Sequence, residues 1–304
     1  MNLDHIKSAQ DLVTLPEQIS KGFLEQALYK SDSAHSFIAR AREFRQELDH
    51  FKNIDELLQN EVFNNGFKNE LLAAAGFSDK ATSHLSNQEL TSALGKVLKT
   101  IYASTKSGKV SFQDELVHRY LLTRGDTLGG TSRNITGALA GKKLAASILA
   151  ALKDKNTTPT IKNSPAGKVQ SMYWAGRYLA FDTKPKILGK NIDAILLDTT
   201  NVQTIDKNLL EQPDRYIACG ELKGGIDPAG ADEHWKTANS ALDRIRQKFS
   251  GQTKKPSLFF VGAAIENSMA QEIYEQLQTD KLRYAANLNV KEQLDKLATW
   301  LVEL

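Results

Sequence analysis

RYIACGELK, residues 215–223, is the stretch that decides the fold. It is a short apolar run that closes with Glu221, Leu222 and Lys223, and a second such run, IDAILL at residues 192–197, has Asp193 near its start. Short apolar runs bounded by turn residues predict buried strands. Side chains two residues apart on a strand point to the same side, so Glu221 and Lys223 share a face. If the two strands are neighbours, Asp193 joins this pair at one end of a sheet.

Two carboxylates and an amine in one place suit phosphodiester hydrolysis. Asp193 and Glu221 can hold Mg²⁺, a hard cation that prefers oxygen ligands and keeps several waters. Such an ion polarises the scissile phosphate and makes a bound water more acidic. Lys223 can orient the nucleophile or offset the charge that develops in the transition state. An acidic-x-Lys pair with an upstream acid resembles the signature of the PD-(D/E)xK nuclease fold.

The short motif leaves other interpretations open. Charged residues make up 25% of the chain, so acidic-x-Lys triplets arise by chance, and residues 182–184 (DTK) form another one. Glu221 and Lys223 could be a surface ion pair at a solvated strand end, and Asp193 could cap a turn. Asp198 competes with Asp193 for the metal-binding role.

The residues after Lys223 add a candidate base. Two glycines follow the strand directly, and they let the backbone turn sharply or approach a ligand closely. Asp227 and Pro228 then open a loop that leads into a predicted helix carrying His234. A histidine near a helix start is often structural or exposed. Beside a carboxylate–lysine pair, however, its neutral imidazole could accept the proton of an attacking water.

The run GELKGGIDPAGADEHWKTA, residues 220–238, resembles the active-site segment of the AvaI/BsoBI type II restriction endonucleases. The similar region covers roughly residues 190–246. Asp193 precedes Glu221 by 28 residues and His234 follows Glu221 by 13, which are the separations of that family. The resemblance implies that Asp193 and Glu221 bind the metal, that Lys223 positions the nucleophile or phosphate, and that His234 assists as base.

The same resemblance implies the partners. It predicts a homodimer that encloses double-stranded DNA and cuts phosphodiester bonds at a short palindromic site, which is CYCGRG in that family, leaving 5′-phosphates. The GGIDPAG loop of that family lies close to the DNA bases, so Asp227 is a candidate base reader, able to accept from a cytosine amino group. Lys236 is a further candidate DNA contact. We expect a cognate DNA methyltransferase in the same cell, though not bound to this chain.

The distribution of proline separates two halves. Residues 1–158 contain only Pro16, and the other 146 residues contain six prolines. Residue spacing predicts amphipathic helices at about 4–30, 34–60, 87–104, 112–123 and 134–153. Residues 154–168 predict a loop, and the remainder predicts strands within 169–181, 192–197, 216–222 and 258–265, with helices near 232–248, 268–279 and 290–303.

These elements predict an α/β fold class, namely a PD-(D/E)xK nuclease core with a mixed β-sheet flanked by helices, plus a large N-terminal helical region. We place the catalytic core at residues 156–304. Residues 1–155 form the helical region, which the resemblance implies embraces DNA.

A glycine-rich stretch, RGDTLGGTSRN at residues 124–134, precedes the last helix of the first half. Backbone N–H groups at that helix start could hold a DNA phosphate, helped by Arg124 and Arg133. The alternative is an interhelical turn with Ser132 or Asn134 as the helix cap. The stretch is not a P-loop, because no Gly-Lys-Ser/Thr follows at the required place.

Composition excludes several classes of protein. No run approaches the roughly 20 apolar residues of a membrane span, and the first residues do not resemble a secretory signal. The single cysteine, Cys219, excludes an intrachain disulfide and fits a reducing compartment, so we expect a cytoplasmic protein without a membrane partner. A net charge of +3 permits DNA binding without demanding it.

Other functions stay open at this stage. The first alternative is a repair or mobile-element nuclease on the same core, which site-specific double-strand cleavage would distinguish. The second is a non-catalytic DNA-binding module with a dead core, against which the intact Asp193, Glu221 and Lys223 argue. A hydrolase of small phosphate esters would have no use for the long helical half.

Overall fold

The computed structural model describes residues 6–51, 54–59, 65–106, 108, 110–165, 167–202, 204 and 206–304; for a few of these, including 131–138, it describes the backbone alone. Contacts divide the chain into two compact units. One consists of Met1–Leu24 together with Arg133–Leu304, and the other of Glu25–Ser132.

The first unit is built on a mixed β-sheet, in which the described residues form seven strands in sequential order. The strands are β1 Thr160–Asn163, β2 Val169–Trp174, β3 Arg177–Thr183, β4 Ile192–Asp198, β5 Tyr216–Lys223, β6 Ser257–Gly262 and β7 Tyr284–Asn287. Neighbours from β1 to β5 are antiparallel, whereas β5, β6 and β7 are parallel. Ala194 of β4 pairs with Gly220 of β5, so Asp193 and Glu221 come at the same end of the sheet.

Helices account for most of the remaining described residues. They are α1 Pro16–Leu48, α2 Ile54–Gln59, α3 Asn65–Ala74, α4 Asp79–Thr82, α5 Asn87–Thr105, α6 Phe112–Asp154, α7 Ala231–Lys248, α8 Asn267–Gln278 and α9 Lys291–Glu303. By the residue limits of the two units, α1 and α6 contribute residues to both.

Apolar helix faces cover both sides of the sheet. On one side, the second half of α6 and α9 bury Leu144, Ile148 and Leu297 in a core that includes Val261 of β6. On the other side, α7 and α8 bury their apolar faces against the sheet, and the indole of Trp235 makes an edge contact with the ring of Phe260. Packing the apolar helix faces against both sides of the sheet removes a large apolar area from water, which explains why these amphipathic segments fold here.

In the second unit, every regular element that the structure describes is a helix. Its core is a cluster of apolar side chains from α1, α3, α5 and α6, among them Phe44, Leu71 and Leu98. Glu70, which is buried beside this core, accepts a hydrogen bond from Arg40 at 2.8 Å. The pairing satisfies a buried charge that would otherwise destabilise the unit.

The predicted α/β fold class is confirmed, with strands β4, β5 and β6 close to the expected limits and α7, α8 and α9 within one residue of them. The turn expected at Gly176 is also present. Ala175 and Gly176 have φ angles of 40° and 75° and connect β2 to β3 as a tight hairpin. This backbone geometry matches the right-handed twist of the flanking strands.

The glycine-rich stretch at residues 124–134 is not a loop, and this prediction was wrong. The helices predicted at 112–123 and 134–153 are a single helix, α6, so no helix starts there to hold a phosphate. Each glycine costs about 1 kcal/mol relative to alanine in a helix interior. Since the stretch contains no proline and strong helix formers flank it, that cost does not break the hydrogen-bond ladder.

Other elements also differ from the prediction. Helix α1 continues through residues 31–33, where a break was expected, because no glycine or proline interrupts it there. Residues 6–15, expected to be helical, contain only the 3₁₀ turn Ala9–Leu12. The beginning of the helix predicted at 4–30 and parts of the end of the one predicted at 34–60 lie outside the described residues. The predicted loop 154–168 contains β1, and β7, α3 and α4 were not predicted.

Packing does not follow the division expected at residue 155. Residues from 133 onward group with the sheet, because Ala140, Leu144, Ile148 and Leu152 of α6 are buried in its core. Residues up to Leu24 group with the sheet as well. The proposed roles of the two regions, DNA embrace and catalysis, stay predictions.

Candidate active site

Asp193, Glu221 and Lys223 meet at one end of the sheet. The Lys223 ammonium lies 3.1 Å from Glu221 Oε2 and 3.6 Å from Asp193 Oδ2. Asp193 Oδ2 also accepts a hydrogen bond of 2.8 Å from the main-chain N–H of Leu222. The antiparallel pairing of β4 with β5 therefore brings together three residues that lie up to 30 positions apart in the sequence, as the shared strand face predicts.

Burial sets the protonation of this cluster. Glu221 is only 4% exposed, and burial followed by the nearby charge of Asp193 raises its pKa to about 7. Burial by itself would lower the pKa of Lys223, but the charges of Asp193 and Glu221 outweigh it and hold this pKa above its ordinary value. Lys223 thus remains an ammonium at neutral pH, while Glu221 is close to its titration midpoint.

Gly220 allows the strand to carry Glu221 in this buried position. A Cβ on Gly220 would overlap the ring of Phe259, which lies on the neighbouring strand β6. Only a residue without a side chain fits between the two strands here. The glycine in the middle of β5 is the signal from which a close approach could have been inferred.

His234 lies in the first turn of α7 and packs on the loop that follows Lys223. A Cβ on Gly225 would lie 2.5 Å from His234 Cε1, and one on Gly230 would lie 3.6 Å from the same atom. The glycines expected to allow a sharp turn after the strand therefore leave room for the imidazole of His234. Gly225 lies two positions after Lys223, so this contact places the imidazole of His234 against the loop that follows the lysine.

Asp227 is exposed in this loop, where its Oδ1 accepts a hydrogen bond of 3.0 Å from the N–H of Ala229. It caps the short 3₁₀ turn Pro228–Gly230 that leads into α7. Lys236 is 73% exposed and forms an ion pair with Asp232 one turn earlier. Both side chains are thus accessible to a large ligand.

The two arginine candidates lie on α6. Arg124 belongs to the second unit, where it pairs with Asp79 at 3.1 Å and its guanidinium lies over the ring of Tyr120. The side chain of Arg133 lies outside the described residues. Since the helix start that motivated both assignments does not exist, a DNA contact by Arg124 or Arg133 stays a prediction without that argument.

The competing acids do not join the cluster. Asp198 lies at the other end of β4, where Thr200, Arg177 and Lys254 bind its carboxylate. Asp182, from the second acidic-x-Lys triplet, is held by Lys168 at 2.9 Å and by Asn191. Of Asp182, Asp193 and Asp198, only Asp193 forms an ion pair with the lysine that also binds Glu221.

The donor set fits a hard divalent cation. Glu221 Oε1 is buried and has no hydrogen-bond partner in the described part of the chain, although buried carboxylate oxygens nearly always have one. Asp193 and Glu221 are two oxygen donors around one point, and no larger group of His, Cys, Asp or Glu ligands occurs among the described residues. Two carboxylates suit Mg²⁺, which usually keeps several waters.

Comparison with known proteins identifies the class of enzyme. The chain is 41% identical, over 318 residues, to type II restriction enzyme AvaI of Nostoc sp. (strain PCC 7120) and to AvaI of Anabaena variabilis. It is 37% identical over 322 residues to type II restriction enzyme BsoBI of Geobacillus stearothermophilus. Each match covers 99% of this chain and 98% of the relative. This protein is accordingly a type II restriction endonuclease, which acts on double-stranded DNA and cleaves it at specific sites.

The family model described as restriction endonuclease BsobI matches residues 2–304. The chain belongs to this restriction endonuclease family, as the resemblance of residues 220–238 predicted. Type II restriction endonucleases generally use a divalent metal ion, in agreement with the donor set. Within the described ranges, every helix is too short or too polar to cross a membrane.

Proposed function

We propose that this enzyme is a Mg²⁺-dependent endonuclease whose centre is built from Asp193, Glu221, Lys223 and His234. The observation that carries the proposal is the buried Oε1 of Glu221, which has no partner among the described residues, next to a second carboxylate that shares its lysine. In the protein alone this arrangement is unfavourable, because burial and Asp193 both oppose the charge of Glu221. A divalent cation would remove that conflict.

The residues divide the chemistry of hydrolysis among them. Asp193 and Glu221 would hold the ion, which when bound would polarise the scissile phosphate and make its water more acidic. Lys223 keeps its positive charge and donates to the attacking water or to a phosphate oxygen. Water attacks the phosphorus, the bond to the 3′ oxygen breaks, and a 5′-phosphate and a 3′-hydroxyl result.

We assign the water proton to His234. Its imidazole packs against Gly225 in the loop after Lys223, and it lies in the first turn of α7, which begins at Ala231 where that loop ends. A neutral imidazole accepts a proton readily near pH 7. The departing 3′ oxygen takes its proton from solvent water.

Asp227 is the candidate base reader, since its carboxylate is exposed on the same loop and a carboxylate can accept from a cytosine amino group. Lys236, also exposed, is a candidate phosphate contact. The target to test first is the palindrome CYCGRG, cut by a homodimer. A cognate methyltransferase in the same cell would protect host DNA.

The decisive experiment is a digest of unmethylated phage DNA with the purified protein in Mg²⁺ or in EDTA, followed by sequencing of the fragment ends. We expect Mg²⁺-dependent fragments with 5′-phosphates that end at a CYCGRG site. Discrete fragments that end at another sequence would support the nuclease activity and contradict CYCGRG as the target. Fragments produced equally in EDTA would contradict the metal-dependent centre.

Two variants test the assigned residues. Glu221→Ala should bind DNA and fail to cut it, because one of two metal ligands is lost; undiminished cutting would remove Glu221 from the centre. His234→Ala should bind DNA normally and cut it roughly 10²- to 10⁴-fold more slowly, the usual contribution of a general base. Full activity of that variant at neutral pH would exclude histidine from the mechanism.

A further inference from the structure

A buried polar cluster lies at the same edge of the sheet as the nuclease centre. The parallel strands β5, β6 and β7 all end at this edge. Next to their ends lie Thr14, Asn287 and Gln293, whose exposed fractions are 5%, 0% and 4%. Polar side chains buried this deeply are costly unless every hydrogen bond is made, so their partners decide what they stabilise.

The hydroxyl of Thr14 uses its full hydrogen-bonding capacity. It donates to the carbonyl oxygen of Ala263 at 2.9 Å and accepts from the N–H of Ile265 at 2.9 Å and from Asn287 Nδ2 at 3.0 Å. A hydroxyl has one donor and two acceptor sites, and all three are occupied. Thr14 therefore joins the N-terminal segment to the ends of both β6 and β7.

This junction continues into the main chain of the catalytic lysine. The N–H of Ala263, the residue whose carbonyl Thr14 binds, donates to the carbonyl oxygen of Lys223 at 2.8 Å. Asn289 Nδ2 donates a second hydrogen bond to the Ala263 carbonyl at 2.6 Å. Thr14 and Asn289 thus both bind the carbonyl of the residue whose N–H binds Lys223, and they hold the peptide unit that directly follows that N–H.

The segment that carries Thr14 also contacts the loop after Lys223. It leads into α1, where a Cβ on Gly22 would overlap the side chain of Ile226. Ile226 is 4% exposed and lies between the glycines that follow Lys223 and the proposed base reader Asp227. The N-terminal residues consequently contact both the loop after Lys223 and the end of the neighbouring strand β6.

We propose that Thr14 is a positioning residue of the nuclease centre. Its hydroxyl holds Ala263, and through it the main chain of Lys223, so that the lysine ammonium stays within reach of Asp193 and Glu221. The proposal rests on the assignment of Lys223 to the centre. Because a misplacement of about 1 Å at a reacting group can cost roughly a hundredfold in rate, a clamp of this kind affects catalysis beyond its effect on stability.

The test is Thr14→Val, which keeps the shape of the side chain and removes the hydroxyl. We expect single-turnover cleavage at saturating enzyme to slow by roughly ten- to a hundredfold, with an unchanged Kd for the DNA site measured without Mg²⁺. Thr14→Ser, which restores the hydroxyl, should recover most of the rate. Asn289→Ala, which removes only the second bond to the Ala263 carbonyl, replaces the valine variant if that one does not fold.

The matched control is Tyr216→Phe. It also removes a hydroxyl that hydrogen-bonds a main-chain carbonyl, that of Leu210 at 2.6 Å, but at the opposite end of β5. All rates are measured well below the lowest Tm of the set. A wild-type rate for Thr14→Val, or an equal slowing by Tyr216→Phe, would overturn the positioning role.

Lys223→Ala separates this inference from the proposed function. If Lys223→Ala is inactive while Thr14→Val cuts at the wild-type rate, only the positioning role fails. If Lys223→Ala cuts normally, the assigned centre fails and the role of Thr14 fails with it.

Discussion

Glu221 is the residue whose surroundings say most about the chemistry of this enzyme. Its carboxylate is buried and one oxygen has no partner among the described residues, and burial followed by the charge of Asp193 raises its pKa despite the ion pair with Lys223. A fold selected for stability alone would place a neutral residue here, since removing such a conflict usually stabilises a protein. We interpret the conflict as the cost of a preformed cation site.

Glu221→Gln should therefore stabilise the metal-free protein at high pH. Because the folded pKa of about 7 lies above the ordinary value of 4.5, the folded state holds the proton more tightly than the unfolded state. The stability that this proton confers is complete below about pH 4.5 and is lost as the pH rises through 7. The free energy of unfolding lost in this way is at most on the order of 3 kcal/mol. A glutamine at this position does not titrate, so the variant does not lose it.

Urea unfolding in EDTA at pH 5 and pH 8 measures this difference for the variant and the wild type. We expect the free energy of unfolding of the variant, relative to wild type, to be higher at pH 8 than at pH 5. Glu25→Gln, at an exposed position of α1, should show no such change. A variant less stable than wild type at both pH values would contradict the unfavourable burial of Glu221.

At the scale of elements, α6 shows how much glycine a long helix tolerates. Gly125 and Gly129 lie inside it, and apart from the adjacent backbone of the helix itself, a Cβ built on either would meet no described atom within 4 Å. The second half of the helix is anchored by side chains buried against the sheet, including Leu144 and Ile148. Local composition predicted a break here, whereas packing of the flanking turns keeps the helix continuous.

Alanine at these two glycines should stabilise the protein. Gly125→Ala and Gly129→Ala are each expected to raise the free energy of unfolding by about 0.5–1 kcal/mol, because a helical backbone suits alanine better than glycine. Thermal and urea unfolding followed by circular dichroism measure the change. Gly176→Ala is the opposed control: its φ of +75° and the hydroxyl of Thr200, 3.0 Å from the added Cβ, should make it destabilising. Loss of stability in both α6 variants would argue for the predicted loop instead.

At the scale of the whole molecule, the number of active centres sets the mode of cleavage. Among the described residues of one chain, Lys223 is the lysine that forms ion pairs with two carboxylates, those of Asp193 and Glu221. The two strands of a palindromic site are related by a two-fold axis, so two copies of one centre with the same symmetry can cut both strands. In the proposed homodimer, each chain supplies the centre for one strand.

A heterodimer of one wild-type chain and one Glu221→Ala chain should consequently nick DNA. With the two chains carrying different affinity tags and purified over both, we expect open circular plasmid as the main product of a single-site substrate. The wild-type homodimer should give linear DNA, and the Glu221→Ala homodimer no cleavage. Linear product from the heterodimer at the wild-type rate would show that one centre serves both strands.

The sequence by itself determined the α/β class, the strands that carry Glu221 and Asp193, the helix of His234 and, through residues 220–238, the restriction endonuclease family. These features are local: side-chain alternation within a strand, spacing within a helix and the order of residues in one segment express themselves without distant partners.

Only the tertiary structure decided that Asp193 rather than Asp198 joins the lysine, that Gly225 seats His234, and that Thr14 clamps the end of β6. It also decided the continuity of α6 and the pairing of the polar strand β1. Each of these depends on contacts between residues far apart in the chain, such as Thr14 and Ala263, 249 positions from each other. Burial and hydrogen bonding across that distance arise only when the whole core has formed, so no pattern in a short stretch of sequence contains them.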